Sequence, residues 1–267
     1  METVPVIDLK SGLVVHGVGG DRALYRPIRS VLAGSARPSE VARAFADTGA
    51  FRHIYVADLD AIAGQRPDWK SLHEIAESGL RIWLDAGVAD TERLQELADG
   101  HERGVELDAI IVGLESLTSH ELLSATLAQW GPMRCIFSLD LRGGHPISRE
   151  GPWQRRSPGV IAQEAFALGV RRMILLDLAT VGTCNGPQSL PLARRLRTDC
   201  PELELIGGGG IRHTNDLKTL ATAGFSAALV ATALHNGAIN PADLPNVNVD
   251  EDDGQRAATT ILLPEEY

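Results

Sequence analysis

Short runs of consecutive apolar residues alternate along this chain with stretches in which apolar residues recur every three or four positions. The runs fall near residues 4–8, 52–58, 80–85, 108–113, 134–140, 171–177, 203–207 and 225–231. They are continuous rather than alternating, as in "HIYVADLD", "LDAIIVGL", "RMILLDL" and "SAALVATAL". Strands covered on both faces read this way, which predicts a parallel sheet flanked by helices. The intervening segments are amphipathic. "PSEVARAFADTGA" starts at Pro38 and Ser39, stops at Gly49, and puts Val41, Ala42, Phe45 and Ala46 on one face. "DTERLQELADG", "SPGVIAQEAFALGV" and "NDLKTLATAGF" repeat the plan. Eight strand–helix units predict an α/β fold, a (βα)₈ TIM barrel. An open doubly wound sheet would use the same parts.

An internal repeat favours the barrel. Asp8 and Lys10 of "VIDLKSG" correspond to Asp140 and Arg142 of "SLDLRGG", 132 residues on. "VADLDAI" matches "LLDLATV", with Asp58 over Asp177. "LDAGV" matches "GGGGI", with Gly87 over Gly210, and "VGLES" matches "VATAL". Four matches in one order, at offsets of 132, 119, 123 and 118, predict two duplicated half-barrels of four units each. The first and fifth strands then face each other across the mouth. The barrel is expected over 1–240, followed by a Pro-, Asn- and Asp-rich acidic extension over 241–267.

Composition narrows the function. Apolar residues make up 44% of the 267 and aromatics 4%, which gives an aliphatic core. A net charge of −10 argues against nucleic-acid or anionic-membrane partners, yet leaves room for a small anionic substrate held by local N–H groups. Cys135, Cys184 and Cys200 are too scattered for a disulfide framework or a zinc site. With no leader at Met1 and no run of 18 apolar residues, a cytoplasmic protein is expected, as monomer or homodimer.

Barrel enzymes react at the C-terminal ends of their strands. Here six of those ends carry a carboxylate: Asp8, Asp58, Asp85, Glu115, Asp140 and Asp177. One would be an ordinary turn or cap residue; six suggest that at least two are catalytic. Opposed across the mouth, Asp8 and Asp140 could hold separated pKa values and serve as acid and base. Lys10 and Arg142 either orient these aspartates or, for Lys10, form a Schiff base. "IGGGGIRHTNDL" supplies Gly209 and Gly210 before a helix beginning near Thr214, and "VATALHNG" supplies Ala231 and Thr232. Loops of this kind after the seventh and eighth strands hold phosphate. The long loop over 16–30, with Arg22, Tyr25, Arg26 and Arg29, reads as a lid or as a solvated loop. Trp153, in the loop over 143–158, either stacks on a planar substrate or anchors that loop. The histidines have no ligand spacing, and no metal motif is present.

With these residues assembled, the chain resembles the histidine-biosynthesis barrel family, and within it the ribotide isomerase branch, over residues ~3–240. The matching stretches are "PVIDLKSGLVV", "VADLDA", "SLDLRGG", "GTCNGP", "GGGGI" and "ALHNG". The resemblance implies a cofactor-free Amadori rearrangement of an N-linked aldose to an aminoketose. Asp8 would take the C2 proton and Asp140 would open the ribose ring. It also implies two phosphate sites, one per half, with Gly182 and Thr183 near the second. Several positions depart from the pattern. The family's strand-3 glycines are replaced by Asp85-Ala86-Gly87-Val88-Ala89, and its small residues after strand 4 by Leu114 and Glu115. Leu176 stands for a threonine, Val181 for an aspartate and Tyr55 for a histidine. A carboxylate at a phosphate site repels its ligand. The first-half phosphate site is therefore expected to be lost, leaving a monophosphorylated, ribose-derived substrate whose other end is neutral or cationic. "YRPIRS" and "DAGV" resemble a divergent subgroup of methanogens and tetrahydromethanopterin-using bacteria, which implies a role near pterin-cofactor biosynthesis. Three alternatives stand beside this reading: the histidine-pathway ribotide isomerase itself, a lyase or aldolase with Mg²⁺ on the carboxylates, and a non-catalytic phosphate-ligand binder.

Overall fold

The computed structural model describes residues 1–148, 153–182, 186 and 188–244. Eight parallel strands form a closed ring. They are β1 (Glu2–Lys10), β2 (His53–Asp58), β3 (Arg81–Asp85), β4 (Leu107–Gly113), β5 (Cys135–Arg142), β6 (Arg172–Asp177), β7 (Glu204–Gly208) and β8 (Ala227–Val230). Each pairs with the next in sequence, and β8 pairs back onto β1 through Glu2↔Ala227 to Pro5↔Val230. The ring leaves no free edge, and β1 and β5 lie opposite each other within it.

The continuous apolar runs follow from this closure, because each strand buries both faces. Val4, Tyr55, Ala57, Trp83, Ala109, Ile111, Ile136, Ile174, Ile206, Ala227 and Leu229 fill the ring. The alternate residues, such as Ile7, Leu9, Ile54, Val56, Leu84, Ile110, Phe137 and Leu175, pack outward under the helices. Fully burying each such side chain contributes roughly 1.5–3 kcal/mol.

The covering helices are α1 (Pro38–Ala46), α2 (Trp69–Ala76), α3 (Thr91–Ala98), α4 (His120–Trp130), α5 (Pro158–Ala167), α6 (Leu190–Asp199) and α7 (Thr214–Thr222), with a single turn, α8 (Thr232–His235), after β8. Side chains fix several starts: Asp68 accepts from Ser71 N, Asp90 from Arg93 N, Ser119 from Leu122 N and Ser157 from Val160 N. Such a cap is worth about 1 kcal/mol. None of the described helices is long and apolar enough to cross a membrane. The stretch 245–267, most of the expected acidic extension, lies outside the described residues; Leu244 is buried against the core.

The repeated phrase has a local cause. After Lys10 the chain reverses through Ser11 (φ 51°) and Gly12 (φ 74°), and Leu13–His16 runs back antiparallel to β1. After Arg142 it reverses through Gly143 (φ 59°) and Gly144 (φ 80°), and His145–Pro146 runs back along β5. Two consecutive residues at positive φ make the tight turn that suits a twisted hairpin. "DLKSG" and "DLRGG" thus each encode a strand end, an inward aspartate and a reversal. The segment expected as a loop over 16–30 is partly ordered as strand: Arg26–Pro27 pairs with Val15 and His16. This arm lays residues 17–25 over the mouth of the ring.

Candidate active site

A cavity of about 340 Å³ opens at the C-terminal ends of the strands, and Asp8, Asp85, Glu115 and Asp140 all line it. Asp8 follows Val4 and Val6 on the inward parity of β1. Asp140 follows Ile136 and Ser138 on β5, and Asp85 follows Trp83 on β3. Burial pushes the Asp8 carboxyl up to about 7, against the pull of the Arg22 guanidinium. Burial likewise takes Asp140 up to about 8. Ser138 Oγ donates to its Oδ1 at 2.7 Å and opposes the rise, while the charges of Asp85 and Glu115 add to it. Asp85 rises less, to about 6: desolvation leads, and the N–H of Gly87 and the hydroxyl of Tyr55 offset part of it. Gly87 N donates at 3.2 Å and Tyr55 Oη at 3.3 Å.

The lid segment enters this site. Arg22 Nη2 meets Glu115 Oε1 at 2.6 Å, and Lys10 Nζ holds the Arg22 carbonyl at 2.7 Å. Tyr25 lines the cavity, its phenol pushed up to about 12 by burial and by Asp8. A Cβ on Gly17 would come within 2.7 Å of Asp8 Oδ2, so the arm's backbone lies directly against that carboxylate. Gly19 N donates to Val181 O at 2.9 Å, and Gly182, at φ 69°, packs on the Gly17 carbonyl. The loops after β1 and β6 therefore meet above Asp8.

At the other end of the cavity lie Gly182, Gly209, Gly210, Ala231 and Thr232. Gly209 and Gly210 have φ of 84° and 73°, and a Cβ on Gly210 would strike Gly186 O at 2.6 Å. In α8, Leu234 N and His235 N donate to Ala231 O, which leaves the Thr232 and Ala233 N–H groups without an acceptor in that turn, and Thr232 lines this end. Between the two ends the walls are apolar, formed by Val6, Ala57, Leu59, Ile62, Leu176 and Leu229 among others.

Five residues expected to contact substrate do other work. Asp58, at the outward parity of β2, accepts from Ala61 N at 3.0 Å and Asp68 N at 2.7 Å, pinning the loop it begins. Asp177, at the outward parity of β6, accepts from Gly143 N, Gly144 N and Ala179 N at 2.8–3.0 Å. Trp153 is buried against Phe137 and His120, and its Nε1 donates to Glu164 at 2.6 Å, so it anchors its loop rather than stacking on a ligand. Lys10 supports the lid backbone, outside the cavity lining. Arg26 is exposed and turns back to the Ala23 and Tyr25 carbonyls. Arg142 does line the cavity. Thr183 lies outside the described residues.

Tyr55 and Val6 line the cavity beyond the set of expected contacts, and Tyr25 enters it from the segment read as a lid or a solvated loop. Their signal was available in the alternation, since Tyr55 shares the parity of Ala57, and Val6 that of Asp8.

The sequence pattern of the family described as histidine biosynthesis protein matches residues 2–240. A phosphoribosyl imidazole-carboxamide isomerase of Deinococcus radiodurans is 30% identical over 89% of this chain and 95% of its own length. One of Thermus thermophilus is 33% identical over 90% and 96%. An uncharacterised protein of Methanocaldococcus jannaschii is 31% identical over 92% of this chain and 98% of its own length. With a family match over nearly the whole described barrel and relatives at 30–33% identity covered over most of their length, the chain belongs to the histidine biosynthesis protein family.

Proposed function

We propose that the chain is an isomerase that converts a phosphorylated, ribose-derived N-linked aldose to the aminoketose by an Amadori rearrangement. The observation that carries this reading is the pair of inward aspartates, Asp8 and Asp140, on opposed strands of one cavity, both with pKa values near neutrality. A carboxyl at about 8 is mostly protonated at neutral pH and suits a general acid; one at about 7 is substantially ionised and suits a general base. Asp140 gives its proton to the ring oxygen, and the ring C1–O bond opens. Asp8 takes the proton from C2 to give the enaminol, which is then protonated at C1 by Asp8 while its C2 hydroxyl returns a proton to Asp140, leaving the ketone. Both carboxyls end as they began, and no cofactor is required by this scheme. The substrate phosphate rests on Gly209, Gly210 and Thr232, with the N–H groups of α8 beside it. The unpaired, buried thiols of Cys135 and Cys200 are compatible with work in a reducing cytoplasm.

The test is direct. Asp8→Asn and Asp140→Asn, each still folded, should lower kcat by about 10²–10⁴-fold on an N-linked phosphoribosyl aldose, followed by aminoketose formation. In D₂O the wild type should wash deuterium into the product, and Asp8→Asn should not. Full activity in either variant rejects the pair as acid and base.

The named isomerase relatives favour a second reading, the histidine-pathway reaction itself. Rescue of a histidine auxotroph lacking that isomerase would establish it; no rescue is the outcome expected from the geometry around Asp85.

A further inference from the structure

The two ends of the cavity are built on matching loops, after β3 and after β7, and they differ in one respect. Gly87 keeps the left-handed backbone of its counterpart Gly210, with φ of 67° against 73°. A Cβ at Gly87 would lie 2.8 Å from Ile62 Cα, so the loop is as tightly fitted as its twin. In the β3 loop, however, the Gly87 N–H is already taken by Asp85 Oδ1. The loop after β4 is equally committed. Leu114 N donates to Ser138 O at 2.9 Å, and Ser116 N and Leu117 N both donate to Gly113 O. The N–H groups of Gly87, Leu114, Ser116 and Leu117 are thus used within the protein, and a carboxylate lines the cavity at this end.

That carboxylate is short of positive partners. Asp85 is 9% exposed, its two donors are both neutral, and no described cation lies within ion-pairing distance of it. Arg22, whose charge pulls the Asp85 pKa down from a distance, is ion-paired to Glu115 instead. Each oxygen of a carboxylate accepts two hydrogen bonds, so one position on each of Asp85 Oδ1 and Oδ2 remains for a ligand. Asp140 Oδ2 converges on the same point: an added Cβ on Gly113 would be 3.4 Å from it and 3.7 Å from Asp85 Oδ2. Ala57, Leu59 and Ile62 wall this end with apolar surface, where a charge-assisted hydrogen bond is strong.

Resting on the assignment of phosphate to the Gly209–Gly210 end, we infer that the opposite end binds a cationic, hydrogen-bond-donating head, an amine or amidine, with Asp85 as its acceptor. The substrate is then a monophosphate with a basic nitrogen at its far end, in place of a second phosphate.

Three probes of one length separate the possibilities by calorimetry on the full chain at mildly alkaline pH: aminohexyl phosphate, hexyl phosphate and hexanediyl bisphosphate. Aminohexyl phosphate should bind about tenfold or more tighter than hexyl phosphate, the worth of a hydrogen bond to a charged group. The bisphosphate should bind more weakly than either. Asp85→Asn, which keeps one oxygen for the Gly87 N–H and turns its amide N–H₂ as a donor toward the Tyr55 hydroxyl oxygen, should erase the preference for the amine. Tyr55→Phe should retain it. A bisphosphate as tight as the amine, or an amine preference untouched by Asp85→Asn, overturns the inference while hexyl phosphate binding leaves the phosphate end standing. If hexyl phosphate fails to bind, or binds unchanged to Thr232→Val and Gly210→Val, the phosphate assignment falls and this inference with it.

Discussion

Ser138 and Val6 stand two residues before Asp140 and Asp8 on corresponding strands, and the Ser138 bond narrows a gap between the two carboxyls that the charges of Asp85 and Glu115 beside Asp140 widen. Ser138 donates to Asp140, whereas Val6 offers Asp8 no hydrogen bond. If Asp8 acts ionised and Asp140 protonated, kcat/KM rises as pH passes about 7 and falls as it passes about 8. The two limbs belong to the pair, because the groups titrate in one cavity. The Ser138 bond lowers the Asp140 pKa, so Ser138→Ala should move the alkaline limb upward and leave the acid limb in place; a pH–rate profile checks this. The same scale explains which carboxylates were legible. All six strand-end acids look alike in a string of letters, but side chains alternate. Counting from Val4, Trp83 and Ile136 brings Asp8, Asp85 and Asp140 inward. Counting from Tyr55 and Ile174 turns Asp58 and Asp177 outward. Parity was readable from the sequence; its absolute phase needed the ring interior to be known.

At the scale of elements, the strands and helices follow the apolar pattern closely, because a strand buried on both faces admits few polar residues. The hairpin arm after β1 was less legible. Its strands are short, and "HGVGGDRALYRPIRS" has the Gly and Arg content of a solvated loop. Only the ladder from Asp8↔Val15 to Val15↔Pro27 brings it over the mouth. Trp153 was ambiguous for a related reason: a large aromatic in a long loop marks equally a stacking platform or an anchor, and packing decides. The outward Asp177 matters here, because it binds three backbone N–H groups and ties the turn after β5 to the end of β6. Asp177→Ala would remove these three bonds, and because Gly143, Gly144 and Ala179 are exposed, water takes up the freed N–H groups and the cost is about 1 kcal/mol. Urea denaturation should show that loss. A smaller fall in kcat should accompany it, since the same turn follows Asp140.

Seen as a whole molecule, the ring has two differently furnished ends. The floor opposite the cavity is sealed by Trp83, whose Nε1 donates to Asp108 at 3.0 Å while the Arg172 guanidinium lies 4.5 Å above its ring. His53 bridges Glu2 at 2.6 Å and Asp108 at 3.4 Å. Burial alone would lower the His53 pKa, but the bonds to Asp108 and Glu2 outweigh it and hold it above the ordinary 6.5. A raised histidine pKa stabilises the fold fully below that ordinary value, and the gain is lost as pH climbs through the folded one. His53→Gln should therefore cost Tm most on the acid side and flatten the dependence of Tm on pH above it, as measured by thermal unfolding across pH. None of this floor was anticipated from the sequence, because Glu2, His53, Trp83, Asp108 and Arg172 are spread over five strands with no local spacing to join them.

The twin placement of Asp8 and Asp140 also bears on direction. A rearrangement that runs backward must exchange its donor and acceptor of protons, since each step retraces itself. Two carboxyls at about 7 and about 8 differ by too little to oppose that exchange. One protonation pattern and its mirror are then both populated near neutral pH, so a single site can serve aldose and ketose alike, and the relative supply of the two sugars sets which way material flows.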